Sequence, residues 1–137
     1  MTTIIYDHEK REIAFDSRIT RGSTICSDDY CKKHQKNNVV FITAGYEAEV
    51  QRFISDYPNL EGAYDCDGAM VENGKVYSFG FQDGRFLRLQ LNFSEAWGSG
   101  QDHALTALDL GLSAREAIKY AMKRDSGSGG KIRLMKL

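Results

Sequence analysis

Val39-Val40-Phe41-Ile42-Thr43-Ala44-Gly45 is a continuous apolar run that closes on two small residues. Such a run reads as a buried strand feeding a tight turn. Directly after it the period changes. Tyr46, Val50, Phe53 and Ile54 recur at helical spacing until Pro58, which stops the pattern. Upstream, residues 17–37 are mostly polar, with a turn expected at Arg21-Gly22-Ser23. Before them, residues 2–6 and 12–15 are β-branched and aromatic around a polar connection, and read as a hairpin. Downstream, residues 59–66 read as an irregular connection, followed by strands over 68–72, 75–81 and 85–91. Asn73-Gly74 is a strong two-residue hairpin signal, and Asp83-Gly84 plays the same part before the third strand. In that strand Phe86, Leu87, Leu89 and Leu91 are set against Arg88 and Gln90.

Two helices and a strand close the chain. Residues 101–110 carry Ala104, Leu105 and Leu108, with Gly111 placed as a C-terminal cap. Ser113 and Glu116 have the spacing of a capping box ahead of an apolar stripe of Ala117, Ile118, Ala121 and Met122. A Gly/Ser turn over 124–130 leads to an alternating strand over 131–137. Strands and helices are thus segregated rather than interleaved. The predicted class is α+β, in a single domain over 1–137.

The 137 residues are 42% hydrophobic, enough for a core without disulfide or metal staples. Net charge is -1, so no basic field exists to hold nucleic acid. Lys32, Lys33, His34 and Lys36 form only a short basic cluster behind Asp28 and Asp29. Cys26, Cys31 and Cys66 cannot all pair with one another, and no Cys-x-x-Cys supports zinc, so reduced thiols are expected. His8, His34 and His103 are scattered and read as surface residues. Neither a metal nor another cofactor is expected. No secretory leader or membrane-length apolar stretch is visible, which predicts a soluble, cytoplasmic protein without membrane contact.

Four stretches then carry a resemblance, in one order along the chain. Thr2-Thr3-Ile4 follows the initiator methionine. Ala14-Phe15-Asp16-Ser17-Arg18-Ile19-Thr20-Arg21-Gly22 fits the pattern A-x-D-S-R-x-T-x-G. Thr43-Ala44-Gly45 ends a strand and opens a helix. Gly98-Ser99-Gly100 opens another helix, and Arg124-Asp125-Ser126-Gly127-Ser128-Gly129 follows the last one. Together they resemble the proteasome β-subunit and HslV peptidase family, whose members are N-terminal-nucleophile hydrolases. The resemblance implies a four-layer αββα sandwich. One departure is plain: between Gly45 and Gly98 this chain offers one convincing helix where the family packs two, so one helical layer is expected to be reduced.

The resemblance also assigns roles. A threonine hydroxyl needs a base beside it, and an N-terminal α-amine, with an unperturbed pKa of about 7.7–8.0, can serve. Thr2 would be that nucleophile after removal of Met1; alternatively it is a strand residue at a chain end. Asp16 and a lysine would be the supporting charges. Ungapped counting from Gly22 puts the lysine at Lys32, with Lys33 next door; on a strand only one of the two can face the site. The Gly45 N–H would donate to the oxyanion, although a plain turn also favours glycine there. Ser99, Asp125 and Ser128 resemble the set that orients the amine; Ser99 could equally cap a helix, and 125–129 could be a simple turn. The implied activity is endopeptidase cleavage of unfolded polypeptide inside a homo-oligomeric ring fed by an AAA+ unfoldase. The competing expectations are a noncatalytic structural subunit that keeps Met1, and an amidase acting on a small molecule.

Overall fold

The computed structural model describes residues 1–137. The predicted N-terminal hairpin is β1 (Ile4–Asp7) and β2 (Glu12–Phe15), paired antiparallel with Ile4 opposite Phe15. β10 (Glu95–Trp97) adds to the free edge of β1 and β11 (Arg133–Lys136) to that of β2, giving a four-stranded sheet in the order β10-β1-β2-β11. A five-stranded antiparallel sheet follows the order β5-β6-β7-β8-β9. Its members are β5 (Lys33–Lys36), β6 (Val39–Gly45), β7 (Cys66–Glu72), β8 (Lys75–Gln82) and β9 (Arg85–Gln90). The turns at Asn73-Gly74 and Asp83-Gly84 have positive φ at both residues, as the primed hairpin turns require.

The helices are α1 (Glu47–Asp56), α2 (Gln101–Asp109) and α3 (Ala114–Arg124). The capping box at Ser113 and Glu116 is formed in both directions. Gly111 takes φ 98° just past α2, a conformation that favours glycine. Between Gly45 and Gly98 the only helix is α1.

Strand alternation distributes the core into three clusters. Ile4, Tyr6, Ile13 and Phe15 of the smaller sheet pack with Ile42, Ala69, Val71 and Val76 of the larger one. The opposite face of the smaller sheet, through Ile5 and Ala14, packs on Ala104, Ala107, Ala117 and Ile118 of α2 and α3. The opposite face of the larger sheet, through Phe41, Met70 and Phe79, packs on Val50 and Phe53 of α1. Phe53 anchors that helix: its ring stacks on Phe79 at 5.2 Å and meets Phe41 edge-on at 5.2 Å. Truncating so buried an aromatic costs about 3–5 kcal/mol.

Three sequence expectations are corrected, and one stretch left open is filled in. Residues 17–37, read only as mostly polar with a turn at Arg21-Gly22-Ser23, carry β3 (Ile19–Arg21), β4 (Thr24–Ser27) and β5, with the turn joining β3 to β4. Their strands are exposed or edge-positioned, so pairing rather than an apolar pattern makes them strands. Tyr46 is exposed at the N-cap of α1 and takes no part in its apolar face. Leu87 and Leu89, read as an apolar strand face, remain 44% and 58% exposed. Of the histidines, only His103 is exposed. His8 Nδ1 lies 2.7 Å from the Tyr6 hydroxyl, and the half-buried His34 has its Nε2 shut away from solvent without a partner. Burial pushes the His34 pKa down, against the nearby Glu47.

Candidate active site

The seven predicted residues come from six segments of the chain, and the fold carries all six to one end of the two sheets. Thr2 precedes β1, and Asp16 follows β2; because those strands are antiparallel, both residues lie at the same edge. Lys32 enters β5, Gly45 ends β6, Ser99 links β10 to α2, Asp125 follows α3 and Ser128 leads towards β11.

Asp16 is fully buried, and its carboxylate accepts four bonds. Oδ1 takes the Thr3 N–H at 3.0 Å and the Lys32 ammonium at 2.8 Å. Oδ2 takes the Gly129 N–H at 3.0 Å and the Arg18 N–H at 3.2 Å. A buried charge persists when it is paired and fully hydrogen-bonded, which is the case here. Lys32 is 4% exposed. Burial lowers its pKa, while Asp16 opposes that shift by charge and by hydrogen bond. Its Nζ reaches Thr2 Oγ1 at 3.0 Å and the Met1 carbonyl oxygen at 3.0 Å. Lys33 is exposed and pairs with Ile42 in the sheet, so Lys32 is the lysine facing Thr2.

A second network fixes the Thr2 nitrogen. Asp125 can only accept while ionised, so it sets the direction of every bond around it. The Ser99 and Ser128 hydroxyls each donate to its Oδ2 at 2.6 Å. Ser99 Oγ keeps a lone pair and accepts the Thr2 N–H at 3.2 Å. Ser128 Oγ likewise accepts from the Thr3 hydroxyl at 2.6 Å. Burial raises the Asp125 pKa, but the bonds from Ser128, Ser99 and the Gly127 N–H outweigh it and leave the carboxyl below its usual range. Ser99 does not cap α2: the N-cap position is Gly100, and it has no side-chain bond.

Thr2 is 3% exposed and lines a cleft of about 390 Å³ together with Ala44, Gly45, Asp67, Gly98 and Ser99. Gly45 therefore lies at the same cleft as Thr2. It has φ 130°, and a Cβ there would come within 2.5 Å of the Asp65 carbonyl, so the close approach of β7 already demands glycine.

Three contributors were not singled out in the sequence. Thr3 joins the serine network, and the Gly129 backbone holds Asp16. Gly98 is the third: at φ 94°, a Cβ on it would stand 2.1 Å from the Thr2 carbonyl oxygen. Gly98 and Gly129 lay inside the quoted motifs, which was the available signal. Cys26 and Cys31 are exposed, while Cys66 is buried with its thiol pushed up to about 12, first by burial and then by Asp67. No group of His, Cys, Asp and Glu side chains is arranged to hold a metal ion. No helix is long and apolar enough to cross a membrane.

No protein-family model and no curated protein matches the chain. Solved structures do. Thiobacillus denitrificans BPH in complex with epoxomicin covers 99% of this chain and 99% of its own, with a TM-score of 0.75 and 18% identity. Eukaryotic HslV from Trypanosoma brucei covers 98% of each chain, with a TM-score of 0.70 and 19% identity. A further structure of Thiobacillus denitrificans BPH covers 99% of this chain and 97% of its own at a TM-score of 0.71 and 18% identity. From end to end, the chain has the fold of these proteins.

Proposed function

We propose that this chain is a threonine peptidase of the proteasome and HslV kind, cleaving peptide bonds through Thr2 once Met1 has been removed. The observation that carries the reading is the contact between Lys32 Nζ and Thr2 Oγ1, backed by Asp16. An ammonium can only donate, so it occupies a lone pair of Oγ1 and leaves the hydroxyl proton to be taken by a base.

Removal of Met1 turns the Thr2 amide, which has no basic lone pair, into an amine at the position where Ser99 already accepts its N–H. That amine takes the hydroxyl proton as Oγ1 attacks the peptide carbonyl carbon. The carbonyl oxygen becomes an oxyanion, for which the Gly45 N–H is the donor in this reading. Collapse breaks the C–N bond, and the protonated amine returns its proton to the departing amino group. The acyl group is then an ester on Oγ1. The amine next deprotonates a water that attacks this ester, releasing a carboxylic acid and restoring the threonine. Lys32 stabilises negative charge on Oγ1 in both halves, and Asp16 holds the ammonium in place.

The likeness to the epoxomicin-bound BPH supports this chemistry, and that to HslV supports the assembly. We extend the reading to a homo-oligomeric cytoplasmic ring that encloses the sites and receives unfolded chains from an AAA+ unfoldase. The three core clusters support a four-layer αββα sandwich whose outer layer over the larger sheet is reduced to α1. A second reading rests on the Lys32 bond to the Met1 carbonyl: with Met1 kept, the lysine is diverted and the chain serves as a noncatalytic subunit.

The test is an intact mass after exposure to a peptide epoxyketone, which needs a free amine and a hydroxyl on one residue. A chain lacking Met1 that gains one adduct, lost in Thr2→Ala, is the expected result. A trimmed chain that takes no adduct overturns the peptidase reading, and retained Met1 favours the noncatalytic one.

A further inference from the structure

The cleft around Thr2 opens sideways into a second depression of about 730 Å³ over β7, β8 and β9. The two share two wall residues, Gly45 and Asp67. Strand register explains the shape of the passage. Ala44 pairs with Asp67, Gly68 with Phe79, and Gly80 with Leu87, so Ala44, Asp67, Gly80 and Leu87 lie in one row across four strands. Residues in such a row project to the same face. Neighbouring strands are about 4.8 Å apart, which leaves Asp67 and Leu87 roughly 10 Å apart with only Gly80 between them. A Cβ on Gly80 would be 3.6 Å from the Asp67 Cβ, an ordinary van der Waals contact, so a side chain fits there without a clash. The row is therefore a trough: a carboxylate on one side, a vacant position in the middle and leucine on the other. Leu89, paired with Ser78, extends the apolar bank.

The carboxylate in this trough has no cation. None of the chain's five ion pairs includes Asp67 or its neighbour Asp65. Arg88 lies nearby in sequence but projects to the other face, where it pairs with Glu72 at 2.8 Å and sits over the Tyr77 ring. Asp67 is open to the cleft yet hemmed in by protein elsewhere, and this burial, followed by Asp65, raises its pKa. The chain thus leaves an acid uncompensated beside an apolar bank, one step from Thr2.

We propose that Asp67 is a specificity residue, and that the trough takes the side chain of a lysine or arginine flanking the scissile bond. This rests on the peptidase reading above. The aliphatic stem lies over Gly80 against Leu87 and Leu89, and the cationic head meets the Asp67 carboxylate. Long basic side chains suit the place because they carry an apolar stem and a charged tip. A short cation would not reach across, and an acidic residue would meet Asp67 and Asp65 with like charge.

The experiment digests reduced casein with chain beginning at Thr2 and maps the cleavage sites by mass spectrometry, which reads both sides of each cut. Cuts adjoining Lys or Arg are expected to exceed those adjoining Leu or Glu by about tenfold. Asp67→Asn should abolish the excess, Asp67→Lys should move it to Asp and Glu, and Gly80→Val should block the trough while leaving the carboxylate in the protein. Unchanged preference in Asp67→Asn, or no preference in the parent, overturns the proposal. Epoxyketone labelling is run on every sample. Labelled protein without the preference sinks the trough alone, whereas an unlabelled parent sinks the peptidase reading on which it rests.

Discussion

Lys32 Nζ stands 2.8 Å from Asp16 Oδ1 and 3.0 Å from Thr2 Oγ1, so one ammonium bridges a fully buried carboxylate and the candidate nucleophile. The stability of the fold and the chemistry proposed for the site therefore draw on the same ion pair. Replacing Lys32 by Met leaves Asp16 buried with N–H donors but no cation, and replacing Asp16 by Asn strands the lysine. Each change should destabilise by about 3–5 kcal/mol. The double variant should lose less than the sum, because the second substitution removes a charge already unpaired. Urea unfolding of the four proteins checks this, and strict additivity would refute the coupling.

Thr2→Ala separates the two roles. It removes the hydroxyl but leaves the Lys32–Asp16 pair, so urea midpoints should stay near those of the parent. Peptide hydrolysis by the trimmed protein should fall by at least about a thousandfold. The parent's rate should rise with pH across about 7–8, as the Thr2 amine loses its proton. A rate that is flat across that range would exclude the amine as base.

Asp125 predicts a distinct pH signature. Its folded pKa lies below the 3.8 of the free carboxyl, so its stabilising contribution is present above pH 3.8 and is lost as pH falls through the folded value. Asp125→Asn should thus cost about 1.5–3 kcal/mol at neutral pH, the worth of hydrogen bonds to a charged group, and progressively less in acid. Chemical denaturation at pH 7 and pH 3 compares the two proteins. A gap that widens in acid would contradict the assignment.

Gly98 and Gly111 form a matched pair. Their φ angles are 94° and 98°, but a Cβ on Gly98 would strike the Thr2 carbonyl at 2.1 Å, whereas one on Gly111 would meet open space. Gly111→Ala should cost about 1–2 kcal/mol, the strain of a left-handed residue alone. Gly98→Ala should cost clearly more and should also displace Thr2, visible as lost epoxyketone labelling. Equal costs would mean that the segment around residue 98 yields freely.

Much of this was readable from the chain. The run from Val39 to Gly45, the Asn73-Gly74 turn and the Ser113 capping box each carry a local signature, and each stands where the sequence put it. β3, β4 and β5 were not legible because an exposed strand has no apolar period; β5 exists through its register with β6. The same holds within the candidate site. Lys32, Asp16 and Ser99 sit in quoted motifs or at counted spacings. The Gly129 N–H reaches Asp16 across 113 positions, and the Gly98 contact with Thr2 is a matter of backbone proximity. Both glycines sit inside the same motifs, but the partner each one serves is set by how the chain folds back and is not written in residue type. The exposure of Leu87 and Leu89 belongs to the same class, since alternation marks a face as apolar but not whether anything covers it.

The Thr2 backbone is gripped from several sides: Ser99 accepts its N–H, its carbonyl takes the Gly100 N–H at 3.2 Å, and Gly98 lies against it. None of these contacts passes through the side chain of Met1, which is 59% exposed. Removing that residue turns one amide nitrogen into an amine and releases Lys32 Nζ from the Met1 carbonyl, while these grips on the Thr2 backbone remain. On the peptidase reading proposed above, folding and activation are separable events, the first complete while the second waits on a single covalent cut.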